Sequence, residues 1–262
     1  MPKELTVYKN ELNTVPFRKF NAVEMDLFFS ICSKMRNKGI SRIKYSFADL
    51  KELSKYSDNH KERFINDLEN VYSKMTKLSY RKETSSRIDY FILFTGFTIE
   101  KIEEYVEIKV NPELEHIINK ITGDFTKFEL QEFTELRSSY SKTTFRLLKQ
   151  FRQTGFWKID IDEFKELLDI PKSYKINDLT KRVLEPIQKE LEPIFKNFKI
   201  SKIKAKKGNK IEYLEFKFKA EDDMNRKNEK TFRGIDGNYY QNDLLHLTQE
   251  EEKKAFPTMK QK

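Results

Sequence analysis

The pentapeptide Asp49-Leu50-Lys51-Glu52-Leu53 returns as Glu163-Phe164-Lys165-Glu166-Leu167, 114 residues further along the chain. Alone the match proves little, because amphipathic helices converge on such patterns. The elements around each copy follow one order, however, and a repeated order constrains the chain to two related units. In the first unit, Val23, Leu27, Phe28, Ile31, Cys32 and Met35 fall three and four apart, which predicts a helix over 22–35. Asn21 is its cap, with Glu24 three residues on, and Gly39 is its stop. A short strand (43–47), a short helix (47–56) and a longer helix carrying Phe64, Ile65, Leu68, Val71, Tyr72 and Met75 come next. Strands over 78–83, 89–99 and 105–111 complete the unit, the first two joined by the small polar turn 84–87.

The second unit opens with a helix from Asn111-Pro112 carrying Leu114, Ile117, Ile118 and Ile121, then a long helix over roughly 129–154. A strand (157–161), a short helix (162–168), the turn 171–175 and a helix over 177–195 follow. Strands 198–205 and 210–219 flank the tight turn Lys206-Lys207-Gly208-Asn209. Helix, strand, helix, helix and strand hairpin is the order of a winged helix, whose second helix of a helix-turn-helix enters a DNA groove and whose hairpin is the wing. The expected fold is α+β: two tandem winged-helix (helix-turn-helix plus β-wing) domains at 1–125 and 126–220. A polar tail over 221–262 reads as mostly flexible.

Composition narrows the chemistry. With 22 Phe and 12 Tyr in 262 residues the chain has ample core material, which excludes full disorder. Cys32 is the single cysteine, so no disulfide framework exists, and Cys32 reads as a buried small hydrophobe. No apolar run approaches the ~18 residues of a membrane span, and Met1-Pro2-Lys3-Glu4-Leu5 lacks signal-peptide order. A soluble, cytoplasmic protein is expected. The seven glycines build no phosphate-cradling loop, and His60, His116 and His246 stand apart from one another at no metal-ligand spacing. No catalytic residue, metal or cofactor is expected.

The net charge of +9 is concentrated. Residues 171–220 hold 14 Lys and Arg against 6 Asp and Glu, whereas residues 1–130 hold 22 against 20 and the tail 8 against 9. A focused basic block is the footprint of a polyanion binder. A generic Lys-rich surface is the bland alternative.

In the second unit, Arg137-Ser138-Ser139-Tyr140-Ser141-Lys142 followed by Arg146-Leu147-Leu148 resembles the start of the second winged helix of the iteron-binding plasmid replication initiators, the Rep proteins of theta-replicating plasmids. The resemblance continues through Trp157, Asp162-Glu163-Phe164-Lys165-Glu166-Leu167-Leu168, Tyr174, Leu179-Thr180-Lys181-Arg182-Val183-Leu184-Glu185-Pro186 and Lys206-Lys207-Gly208. It covers about residues 5–220, more specifically in the second half. The resemblance implies tandem winged helices without nuclease or ATPase activity. It also implies binding of double-stranded DNA at origin repeats (iterons) and help in opening adjacent DNA. A monomer–dimer equilibrium through the first domain, repression of the initiator's own gene, and host partners such as a helicase or helicase loader come with it.

The expected contacts follow from the unit order. The second recognition helix starts near Asn177, with Lys172, Ser173, Tyr174 and Lys175 in the turn before it. Lys175, Asn177, Lys181 and Arg182 reach phosphates or base edges, with Arg182 suited to guanine and Asn177 to adenine. Asn177 could equally be a plain N-cap, and Arg182 could pair with Glu185 or Asp178. Lys206, Lys207 and Lys210 on the wing suit phosphate and add affinity without specificity. In the first unit, Asn59, His60, Lys61 and Arg63 stand at the helix start and Arg81, Lys82 and Arg87 on the wing. Ile88, Tyr90, Ile92 and Phe94 form an alternating apolar row that is either core or a subunit interface. Two other functions stay open: a plain transcriptional repressor with the same domains, and an origin nickase using a tyrosine.

Overall fold

A computed structural model describes residues 4–221, apart from 16, 18, 36, 37, 40, 41, 120, 122, 123, 207 and 209, together with two short strands further on. Residues 1–220 form one compact unit and 221–262 a second.

The first unit opens with β1 (Leu5–Lys9) and a tight turn, Asn10–Thr14. α1 (Ala22–Met35) is held by the reciprocal cap its sequence announces. The Asn21 N–H donates to Glu24 Oε2 at 2.7 Å, and the Glu24 N–H donates to Asn21 Oδ1 at 2.9 Å. β2 (Ile43–Ser46) runs straight into α2 (Phe47–Ser54), where the Ser46 hydroxyl accepts from the Asp49 N–H at 3.0 Å. α3 (Lys61–Met75) buries Phe64, Ile65, Leu68, Val71 and Met75 as its 3-and-4 spacing predicts.

Four strands follow: β3 (Ser79–Glu83), β4 (Ile88–Ile92), β5 (Phe94–Glu100) and β6 (Tyr105–Val110). The strand expected over 89–99 is therefore broken. Leu93 is buried at the break, its carbonyl accepting from the Asn111 N–H at 2.8 Å while Asn111 Nδ2 donates to the Ile92 carbonyl at 2.9 Å. These bonds turn the chain, so β3 and β4 pair as a separate ribbon while β2, β6 and β5 form a sheet in that order. The first wing is β5–β6, with its tip at 101–104. Arg87 stands on the separate ribbon instead, as do positions 81 and 82.

Asn111 caps a tight turn, Pro112–Leu114, and α4 (Glu115–Ile118) is shorter than the expected helix. The single helix expected over 129–154 is replaced by β7 (Phe125–Glu129), α5 (Leu130–Thr134) and α6 (Ser139–Gln150). β7 pairs antiparallel with β1, Leu5 opposite Glu129. Glu190 makes the break before α6, one carboxylate oxygen accepting from the N–H groups of Arg137 (3.0 Å) and Ser138 (3.3 Å).

β8 (Phe156–Asp160) leads into α7 (Ile161–Leu167), capped by Asp160, whose Oδ1 accepts from the Asp162 and Glu163 N–H groups at 2.7 and 3.2 Å. α8 (Ile176–Leu179), a wide π turn (Thr180–Leu184) and α9 (Glu185–Leu191) run on as one helix. Pro186 accounts for the wide turn, since it has no N–H to bond to residue 182 and its ring crowds that carbonyl. β9 (Lys199–Lys204) and β10 (Ile211–Lys217) complete a sheet of order β8-β10-β9.

That order matches β2-β6-β5 strand for strand. The offset of 114 residues also carries Ser46 onto Asp160, both helix caps, and Leu50 onto Phe164, both fully buried. The duplication read from five residues extends to the architecture.

The two modules share one core. Ring contacts run from Phe28 through Phe29, Phe133 and Phe145 to Phe195, with centroid separations of 5.0, 4.8, 6.0 and 5.8 Å. Gly155 closes the second module at φ +64°, and its carbonyl accepts from the Phe218 N–H at 2.9 Å. In the second unit, β11 (Thr231–Arg233) and β12 (Tyr239–Gln241) pair antiparallel. The rest of the tail expected to be flexible lies outside the described residues.

Candidate nucleic-acid interface

In the second module the side chains expected to meet DNA stand at two places, the entry of α8 and the tip of the β9–β10 hairpin. Lys172, Ser173, Lys175, Asn177, Lys181, Arg182, Lys206 and Lys210 are exposed, and Tyr174 is half-buried. Lys207 lies outside the described residues. The helix begins one residue before Asn177, so the plain-cap reading of Asn177 gives way: Lys175 is the cap residue and Asn177 stands in the first turn. Asp178 fixes this start by accepting from the Lys175 N–H at 3.3 Å. Arg182 stands with its guanidinium 5.4 Å from the Tyr174 ring centroid and 3.7 Å from Asp178 Oδ1. The Tyr174 hydroxyl first, then Asp178, favours its charged form. Pairing is with Asp178, not Glu185. Lys202 Nζ donates to Thr180 Oγ1 at 3.1 Å, which ties strand β9 to the start of the π turn that follows α8. Among the described residues no carboxylate pairs with Lys172, Lys175, Lys181, Lys206 or Lys210.

The first module is built alike, but His60, Lys61, Arg63 and Arg87 each face a carboxylate. Asp58 accepts from both the N–H and the ring Nδ1 of His60, each at 2.8 Å, and its other oxygen lies 3.0 Å from Arg63. The backbone N–H and then the ring of His60 hold the Asp58 carboxyl below the usual carboxylate range. Lys61 bonds Glu104 at the wing tip at 2.6 Å, and that bond lowers the Glu104 carboxyl as well. Arg87 is paired with Asp89 at 2.7 Å. The side chains of Arg81 and Lys82 lie outside those described. On the same ribbon Ile88 is 51% and Tyr90 65% exposed, so these two do not pack in the core, whereas Phe94 does.

Two basic residues of the stretch 137–148 do not reach this surface at all. Lys142 is fully buried, donating to Asp26 Oδ1 at 2.6 Å and to the Phe133 carbonyl at 2.7 Å. Arg146, also fully buried, donates to the carbonyls of Leu12 (3.2 Å) and Val15 (3.3 Å) and to Asn13 Oδ1 (3.0 Å). Both tie α6 to the first stretch of the chain, between Leu12 and Asp26. Their cue in the sequence is faint: each stands on the apolar stripe of a helix, four residues apart, where exposed cations are not expected.

Two winged helices on one core, the second with exposed lysines at its helix entry and wing that have no carboxylate partner among the described residues, define a tandem winged-helix DNA-binding protein. Residues 5–149 match the family model described as initiator replication protein WH1, and residues 160–218 match that of initiator Rep protein WH2. The chain belongs to this family of replication initiators. A probable replication protein, rep, of Bifidobacterium longum (strain NCC 2705) is 34% identical over 210 residues, spanning 79% of this chain and 70% of that protein. A solved structure of the Pi initiator protein in complex with iteron DNA is similar in fold, with a TM-score of 0.66 at 17% identity, over 85% of this chain and all of that one. Both models describe winged-helix modules of an initiator, and the nickase reading loses its ground. Among the described residues no three His, Cys, Asp or Glu side chains gather as metal ligands, and no helix is long and apolar enough to cross a membrane.

Proposed function

We propose that the chain starts replication by binding repeated duplex sites (iterons) beside its own gene, chiefly through residues 126–220. The observation that carries this is the contrast in pairing. Among the described residues Lys172, Lys175, Lys181, Lys206 and Lys210 of the second module are exposed without carboxylate partners, whereas the cations at the first helix entry are held by Asp58 and Glu104. Only the former can exchange their counterions for phosphates without first breaking an ion pair. In this reading the helix from Ile176 enters the major groove, Asn177, Lys181 and Arg182 reach base edges, and Lys172, Ser173, Tyr174 and Lys175 hold the flanking backbone. Lys206, Lys207 and Lys210 grip phosphates from the wing.

Residues 1–125 add auxiliary contacts through His60, Lys61, Arg63, Arg81, Lys82 and Arg87. The ribbon bearing Ile88 and Tyr90 pairs with a second copy, and the resulting dimer represses the initiator's own gene. Opening of adjacent DNA and recruitment of a host helicase or its loader complete the role. The iteron DNA of the Pi complex and the replication protein of B. longum support this reading. The test is binding of the purified chain to its own upstream DNA, with random DNA as competitor, across a salt series. Stepped complexes on a repeated site are expected. Equal binding to all DNA, falling steeply with salt, would reduce the protein to a basic patch.

A further inference from the structure

We infer that Ile176 is a specificity residue whose side chain makes apolar contact with the 5-methyl group of a thymine in the bound site. The inference rests on the proposed entry of this helix into the major groove. Ile176 is the first residue of α8 and is 37% exposed. A lone exposed isoleucine is ordinary on a protein surface; its position here is not. The N-terminal residues of a recognition helix meet base edges, and the exposed neighbours Lys172, Ser173, Lys175, Asn177 and Lys181 are all polar.

Among the described residues of the second module only one other large apolar side chain is exposed, Phe156, and it lies on β8 beneath Lys217 Nζ at 5.8 Å. Ile176 is thus the apolar point in a ring of hydrogen-bonding groups. In the major groove the thymine methyl is the apolar feature that a side chain without donors or acceptors can read. The position is also preorganised. Thr180 Oγ1 donates back to the Ile176 carbonyl at 2.8 Å and accepts from Lys202, so the turn bearing Ile176 is fixed to the wing.

The probe is a duplex selected from a random pool by the full-length protein, with each thymine replaced in turn by deoxyuridine, which removes only the methyl. At one or two positions this replacement is expected to weaken binding by the wild type about fourfold, the ratio that burial of one methyl-sized group gives. Ile176→Ala should bind the unmodified duplex weaker by a similar factor and be indifferent to deoxyuridine at those positions. Equal sensitivity of both proteins at every thymine would overturn the contact while leaving sequence-specific binding intact. A pool from which no sequence emerges above random would instead overturn the DNA-reading function, and this inference with it.

Discussion

Removing the Lys142 charge while keeping its bulk should destabilise the protein in a pH-dependent way. Lys142 is fully buried, and the Asp26 side chain retains only 11% of its exposure. Burial pushes the Asp26 carboxyl up to about 7 even with the ammonium 2.6 Å away, and burial likewise lowers Lys142. Lys142→Met leaves Asp26 with no hydrogen-bond partner among the described residues. Where Asp26 is ionised, breaking one side of a buried pair costs ~3–5 kcal/mol. Where it is protonated, the loss falls to that of unmade hydrogen bonds, ~1–3 kcal/mol.

The direction follows from linkage. A carboxyl whose pKa is raised on folding keeps a proton that the unfolded chain has released, so stability falls with rising pH up to the folded pKa. In the wild type that decline ends near 7. Without Lys142 the folded pKa climbs further and the decline continues above 7, at ~1.4 kcal/mol per pH unit. The lowered Lys142 pKa in the wild type acts in the same sense, adding stability as pH rises toward its ordinary value. Urea unfolding by circular dichroism at about pH 6 and about pH 8.5 should therefore give a destabilisation ~2 kcal/mol larger at the higher pH. Asp26→Asn in the Lys142→Met background should remove most of the difference. An equal destabilisation at both values would refute the reasoning.

Arg182→Ala should weaken binding to the specific site by ~1–3 kcal/mol and relax its preference at one base pair, read by competition against single-base variants. Its ion pair with Asp178 is exposed, so the melting temperature should hardly move. Lys206→Ala with Lys210→Ala should lower the slope of log K against log salt by about 2, at roughly 0.9 per phosphate, with the preference for the site unchanged. Gly155→Ala should unfold the second module, because a Cβ at φ +64° would also collide with the Phe218 carbonyl. Loss of protection of the single tryptophan, Trp157, from an aqueous quencher is the check.

Local order was legible where its causes were local. The caps at Asn21 and Asn111, the stripe on α3 and the second wing follow from residues within one element. β1 and β7 escaped because each is specified by a partner about 120 residues distant, and five-residue strands carry little periodicity of their own. The false long helix had the same origin, since the carboxylate that breaks it, Glu190, comes from α9. At the candidate interface the spacing singles out basic residues but does not say which are already paired. Asp58 and Glu104 pair the first module's helix-entry cations from a turn and a wing tip, and an uncharged Ile176 carries no signal in a charge pattern.

The helix α6 leads into the second winged helix and has Lys142 and Arg146 sunk against residues 12–26 of the first. Turning one module against the other would strip Arg146 of three carbonyl and amide acceptors at once. The two modules are therefore set like teeth on one comb. For a repeat gripped by both, an inserted base pair would swing one contact about 35° around the duplex from the other, and the protein has no joint there with which to follow it.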